Sequence, residues 1–89
     1  GDLLILQKAH KYKIGDIISY RYRPNQNYTL HRIIFKLGNI LVTKGDKSDH
    51  IDPLLKSKYV SGKVVQINRK PFKIKYSDLI RSYLNLFKR

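Results

Sequence analysis

Residues 28–43 read YTLHRIIFKLGNILVT. The run from Tyr28 to Leu37 is rich in β-branched and aromatic residues, and it is the longest strand candidate in the chain. His31, Ile33 and Phe35 fall on one face of such a strand, and Leu30, Arg32 and Ile34 on the other. Gly38-Asn39 predicts a tight hairpin, because both residue types tolerate positive φ. Ile40 to Thr43 is then the returning strand. A hairpin in the middle of an 89-residue chain points to a mainly β domain with antiparallel pairing.

The flanking sequence extends that pattern. Leu3 to Leu6 is a short apolar run, expected as a buried strand. Lys13-Ile14-Gly15-Asp16 has the composition of a turn, and Ile17 to Tyr22 that of a second strand. Pro24-Asn25-Gln26-Asn27 is a loop by composition. After the hairpin, Asp52 and Pro53 suit the N-cap and first position of one helical turn through Pro53-Leu54-Leu55. Tyr59 to Asn68 predicts another strand, with a bulge at Gly62 and a break at Arg69-Lys70-Pro71. Residues 77–89, SDLIRSYLNLFKR, change period: Leu79, Ile80, Tyr83, Leu84, Leu86 and Phe87 recur at helical spacing. Ser77 is placed to cap this helix, and Lys88 and Arg89 sit where its dipole is negative. The expected architecture is a small antiparallel β-sheet or partly open barrel over residues 1–75, with an amphipathic α-helix over 76–89.

Composition narrows the function classes. The chain has no cysteine, which excludes disulfides and thiolate metal sites. No window approaches the ~20 uninterrupted apolar residues of a membrane span. The net charge is +13, from 19 Lys and Arg against 6 acidic residues. Such a balance favours anionic lipid or nucleic acid as partner, or simply a solvated lysine-rich surface. Lysine outnumbers arginine and is spread along the chain, so the solvated surface ranks first, then lipid, then nucleic acid. Tyr20-Arg21-Tyr22-Arg23 interleaves rings and charge, as single-strand binders do. An ordinary half-buried strand has the same alternation.

All six acidic residues are Asp, and Asp46, Asp49 and Asp52 fall within residues 43–52, TKGDKSDHID. Their spacing is D-x-x-D-x-x-D, not that of a calcium loop, and no glutamate closes it. A second arrangement is possible. Counting back across the Gly38-Asn39 turn, Thr43 to Asp46 return to about the level of His31. A carboxylate beside an imidazole fixes its tautomer and offsets its positive charge. Such a pair needs a nucleophile, and none of Ser19, Ser48, Ser57, Ser61, Ser77 and Ser82 sits on a recognisable nucleophile turn.

The order GDLLIL, YKIGDIISYR, LHRIIF, GNILVTKGDKSDHID and VSGKVVQI resembles the type I signal peptidases, a family of membrane serine endopeptidases, over about residues 1–67. Histidine in place of the bacterial lysine makes the chain similar to the archaeal and endoplasmic-reticulum variety. The resemblance implies the family's β core, shared with LexA-type self-cleaving regulators, although those use lysine as base. It implies His31 as general base, Asp52 as third triad member and Asp46 as organiser of the loop. Asp49 and His50 have no counterpart. The family serine lies in a Ser-hydrophobic-x-Pro motif before the first Gly-Asp, here Gly1-Asp2. It is therefore expected upstream of residue 1 together with a membrane anchor, and this chain alone is expected to be inactive. The implied substrate is a precursor protein or peptide whose leader is removed on the extracytoplasmic side of an anionic membrane. The implied chemistry needs no cofactor and no metal. The rival expectation is a non-catalytic basic β module that binds lipid or nucleic acid.

Overall fold

The computed structural model describes residues 2–87. It is mainly β, one antiparallel sheet of seven strands that does not close into a barrel, with one short helix near the C-terminus. The strands are β1 (Leu4–Gln7), β2 (Ile17–Tyr20), β3 (Thr29–Leu37), β4 (Ile40–Lys44), β5 (Leu55–Lys56), β6 (Val60–Ile67) and β7 (Lys70–Pro71), and the helix is α1 (Tyr76–Asn85). The spatial order is β1-β6-β2-β3-β4-β5, with β7 paired to the end of β6.

The β3–β4 hairpin forms where the sequence places it. Gly38 takes φ +58° at the turn. Pairing starts at Leu37 with Ile40 and reaches Arg32 with Lys44, but it shifts between Ile33 and Phe35. Ile34 is the extra residue. The alternation read from sequence therefore fails beyond Ile33: Ile33 and Ile34 are both buried, and Phe35 is exposed. Opposed residues of paired strands share a face. Ile18 lies opposite His31, Tyr20 opposite Val60 and Ile33 opposite Thr43. That face carries the core of Tyr12, Ile18, Tyr20, Ile33, Leu41, Leu55 and Val60, with His31 at its rim.

Other expectations need correction. The first strand is not buried: β1 is an edge strand held only by β6, and Ile5 and Leu6 are each 44% exposed. Pro53-Leu54-Leu55 forms no helical turn. Leu55 and Lys56 pair instead with Leu41 and Ile40, and a 3₁₀ turn follows at Ser57–Tyr59. The second strand stops at Tyr20, two residues early. The β6 irregularity against β2 falls at Ser61, next to Gly62. Residues 69–71 do not end the β structure: Asn68 and Arg69 adopt φ of 52° and 70°, making a tight turn into β7.

Helix α1 begins one residue before Ser77, at Tyr76, and Lys75 at its N-cap makes no side-chain cap bond. Lys88 and Arg89 lie outside the described residues. The six apolar residues expected on one face divide in two. Leu79, Tyr83 and Leu86 turn inward, while Ile80, Leu84 and Phe87 are exposed. The Tyr83 hydroxyl donates to the Ile34 carbonyl at the bulge, which seats the helix on β3.

The β5 pairing is testable. Leu55 is buried to 1% exposure and Leu54 is 63% exposed. Leu55→Ala should cost about 2–5 kcal/mol in urea denaturation, and Leu54→Ala within roughly 0.5 kcal/mol of zero. A helical turn docked through Leu54 would give the reverse.

Candidate active site

The acidic loop begins where β4 ends. The chain leaves the sheet at Gly45 and returns at Asp52, whose N–H donates to the Thr43 carbonyl at 2.9 Å. Two buried cations hold the loop between those points. The Lys44 ammonium donates to the Gly45 and Ser48 carbonyls, both at 2.7 Å. Arg32 meets Asp46 with two bonds, Nε to Oδ1 at 2.8 Å and a terminal nitrogen to Oδ2 at 3.0 Å. Its other terminal nitrogen donates to the Gly15 carbonyl at 2.9 Å. A buried cation needs such acceptors, because losing water without replacing it costs several kcal/mol or more. Asn85 of α1 adds a bond of 2.6 Å to the Asp46 carbonyl.

Asp52 then points its carboxylate across the hairpin. Its Oδ2 lies 2.6 Å from His31 Nδ1, 2.8 Å from the Thr43 hydroxyl and 3.0 Å from the Tyr20 hydroxyl. The two hydroxyls are 2.6 Å apart. Two hydroxyl protons thus serve three oxygen contacts, a small network rather than isolated bonds. An ionised carboxylate only accepts, so Nδ1 carries the proton and the neutral ring has its lone pair on Nε2. Among the described residues Nε2 makes no hydrogen bond, and the His31 side chain is 32% exposed. A Cβ on Gly45 would stand 3.1 Å from Nε2, so glycine there leaves the nitrogen room.

Burial and the Asp52 charge push the Tyr20 phenol well above its usual range, against an opposing pull from the Thr43 hydroxyl. Tyr22 is raised for the same two main reasons. Burial draws the Lys44 ammonium below the usual lysine range, while Asp46, Asp49 and Asp52 act in the other direction.

The structure brings His31 and Asp52 into contact and sets Asp46 apart on Arg32. Asp49 and His50 pair with each other at 3.1 Å on the exposed tip of the loop, where Ser48 also bonds His50. The three aspartates therefore face three different partners, and among the described residues they form no common cage. Among the described residues no serine hydroxyl bonds His31. Sequence reasoning missed Tyr20, Thr43, Arg32 and Lys44 as members of the site. Two signals were present: Arg32 follows His31 directly, and Thr43-Lys44 precedes Gly45-Asp46. No known protein family, curated protein or solved structure matches the chain.

The network predicts a pH signature. The unfolded Tyr20 phenol ionises near its ordinary value of 10.0, whereas the folded one resists. Above that pH the unfolded state releases a proton that the native state keeps, so stability falls as pH rises. One proton contributes at most about 1.4 kcal/mol per pH unit. Tyr20→Phe should cost roughly 1–3 kcal/mol at pH 8 for its lost bonds. That gap to the parent chain should narrow above pH 10 in urea titrations. A constant gap would show that Tyr20 ionises normally.

Proposed function

We propose that this chain carries the His–Asp half of a signal-peptidase-like serine endopeptidase. The observation that supports this most is the 2.6 Å bond from His31 Nδ1 to Asp52, with Nε2 left open at a partly exposed rim. This reading requires an attacking serine from outside these 89 residues. Its hydroxyl gives its proton to His31 Nε2 while the oxygen attacks the scissile carbonyl carbon. The C–N bond then breaks as Nε2 returns that proton to the leaving amine. Water, deprotonated by the same nitrogen, hydrolyses the acyl ester and releases the serine. Asp52 holds the ring and offsets the imidazolium charge formed in each half-reaction. Asp46 acts at a distance, through Arg32, by keeping the loop that presents Asp52. The substrate is a precursor protein or peptide whose leader is removed.

In a chain extended to include that serine, Asp52→Asn should lower kcat for a leader-bearing precursor by about 10⁴-fold, and His31→Ala by at least as much. Cleavage that persists in His31→Ala would overturn the assignment. It would leave the basic binding module as the reading to pursue.

We also propose that the protein works against an anionic membrane surface. Tyr76, Ile80, Leu84 and Phe87 make an exposed apolar stripe along α1, with exposures of 56–81%. Lys73, Lys75 and Arg81 are exposed beside it. Apolar area with flanking cations suits the interface of a bilayer carrying negative headgroups. No helix among the described residues is long and apolar enough to cross a membrane. The chain has no tryptophan, so Leu84→Trp provides a single reporter. Its emission should shift to the blue with vesicles containing about one-third phosphatidylglycerol. It should stay unchanged with phosphatidylcholine alone. No shift with either would remove the lipid surface from the proposal.

A further inference from the structure

A cleft opens just beyond the end of β2. It has a volume of about 290 Å³ and is lined by Arg21, Tyr22, Arg23, Tyr28, Lys58 and Tyr59 among others. It is tied to the candidate active site through β2. Tyr20 bonds Asp52, and two residues later the Tyr22 hydroxyl donates to the carbonyl of Pro53 at 2.5 Å. The rings of Tyr20 and Tyr22 meet edge to face at 5.6 Å. A group bound in this cleft therefore lies within a few residues of the candidate catalytic base.

Its cations are held in place. The Arg21 guanidinium stands 4.5 Å from the centre of the Tyr28 ring, and its terminal nitrogen donates to the Pro24 carbonyl at 2.8 Å. The Lys58 ammonium stands 5.3 Å from the centre of the Tyr59 ring. Aromatic faces attract cations but do not neutralise them. Among the described residues none of Arg21, Arg23 and Lys58 forms an ion pair, since the ion pairs there use His31, Arg32 and His50. Three cationic residues thus line a cleft walled by tyrosine rings, with no carboxylate in its lining. Tyrosine walls suit the methylene stem of an acidic side chain, and a guanidinium suits its carboxylate. The volume fits one or two side chains rather than the run of bases a single-strand groove accommodates.

We infer that this cleft is a specificity subsite for an acidic residue of the peptide substrate, close to the cleaved bond. The inference rests on the protease reading for the word substrate, but binding can be measured without catalysis. The test is fluorescence anisotropy with the 89-residue chain at about 0.15 M salt. The probe is a short labelled Ala/Ser peptide containing Glu-Asp, and the comparison is the same peptide with Gln-Asn. The acidic peptide should bind about tenfold more tightly. Arg21→Gln with Lys58→Gln should abolish that preference. Lys8→Gln with Lys70→Gln removes equal charge from exposed sites elsewhere and should preserve it. Arg21→Lys keeps the charge but loses the planar fork, so it should weaken binding while leaving the fold and net charge intact. Equal losses in both double variants would mean that the overall field, not the cleft, attracts the peptide, and would overturn the inference. So would displacement of the peptide by oligothymidylate at lower concentration than by unlabelled acidic peptide. His31→Ala should bind as the parent does. Intact binding with no serine-dependent cleavage would sink the protease reading and leave the acidic-peptide cleft standing.

Discussion

A single oxygen atom, Asp52 Oδ2, accepts from three neighbouring strands. Tyr20 reaches it from β2, His31 from β3 and Thr43 from β4. Each donor belongs to a residue that shares the core face of the sheet, and without this acceptor the buried hydroxyls of Tyr20 and Thr43 would have only each other. The carboxylate in turn tolerates partial burial because three donors replace its water. The contact therefore fixes the side-by-side placement of β2, β3 and β4, the point where the acidic loop re-enters, and the orientation of the imidazole. Stability and any proton-transfer role draw on the same bonds.

The rest of the loop follows from a shortage of acids. Six carboxylates cannot neutralise nineteen cations, and two of those cations, Arg32 and Lys44, are buried. Arg32 receives Asp46 as a two-point partner, the arrangement a planar guanidinium favours. Lys44 receives backbone carbonyls instead. To supply them the chain must turn tightly around the ammonium, and this curvature is what delivers Asp52 to His31. The concentration of aspartates in 43–52 is then understandable in a strongly basic chain. Two of the three hold side chains of β3, the buried Arg32 guanidinium and the partly buried His31 ring, and the third pairs with His50 in solvent.

The central hairpin was legible because local signals and tertiary pairing agree: a Gly-Asn turn between two β-rich runs. The hairpin count brought the acidic loop to the level of His31 but reached only Thr43 to Asp46; Asp52 as the partner came from the resemblance alone. Errors arose where a local signal competed with a distant partner. Asp52-Pro53 has the form of a helix start, but the Asp52 side chain is engaged by three donors, and Leu55 gains more from burial against Leu41 than one isolated helical turn can supply. The extra residue at Ile34 has no sequence mark at all. Its carbonyl accepts from the Tyr83 hydroxyl, and it shifts the side chains beyond it to the other face. Tyr20 and Thr43 were invisible as site members because a Tyr and a Thr in strands read first as β-formers. Only the three-dimensional meeting of their hydroxyls at one carboxylate gives them a further part.

A histidine in a strand is often structural, and the geometry of His31 bears on the choice. A structural imidazole is most stable when both nitrogens are bonded and the ring is enclosed. His31 has one nitrogen bonded very closely and the other unengaged among the described residues, at a rim where solvent reaches the ring. The residue facing that free nitrogen is Gly45, the one type that adds no atoms there. A Cβ at position 45 would stand 3.1 Å from Nε2, closer than an ordinary contact, so glycine also lets the loop backbone pass close to the ring. An open Nε2 with a fixed Nδ1–H is what a proton acceptor requires, because the lone pair must face an incoming hydroxyl while the far side of the ring is anchored. The same anchoring extends through Tyr20 to Tyr22 and the basic cleft beyond it. Base and cleft thus flank β2, the base on β3 opposite Ile18 and the cleft around the loop that follows Tyr20, so a peptide held in the cleft would lie near the base.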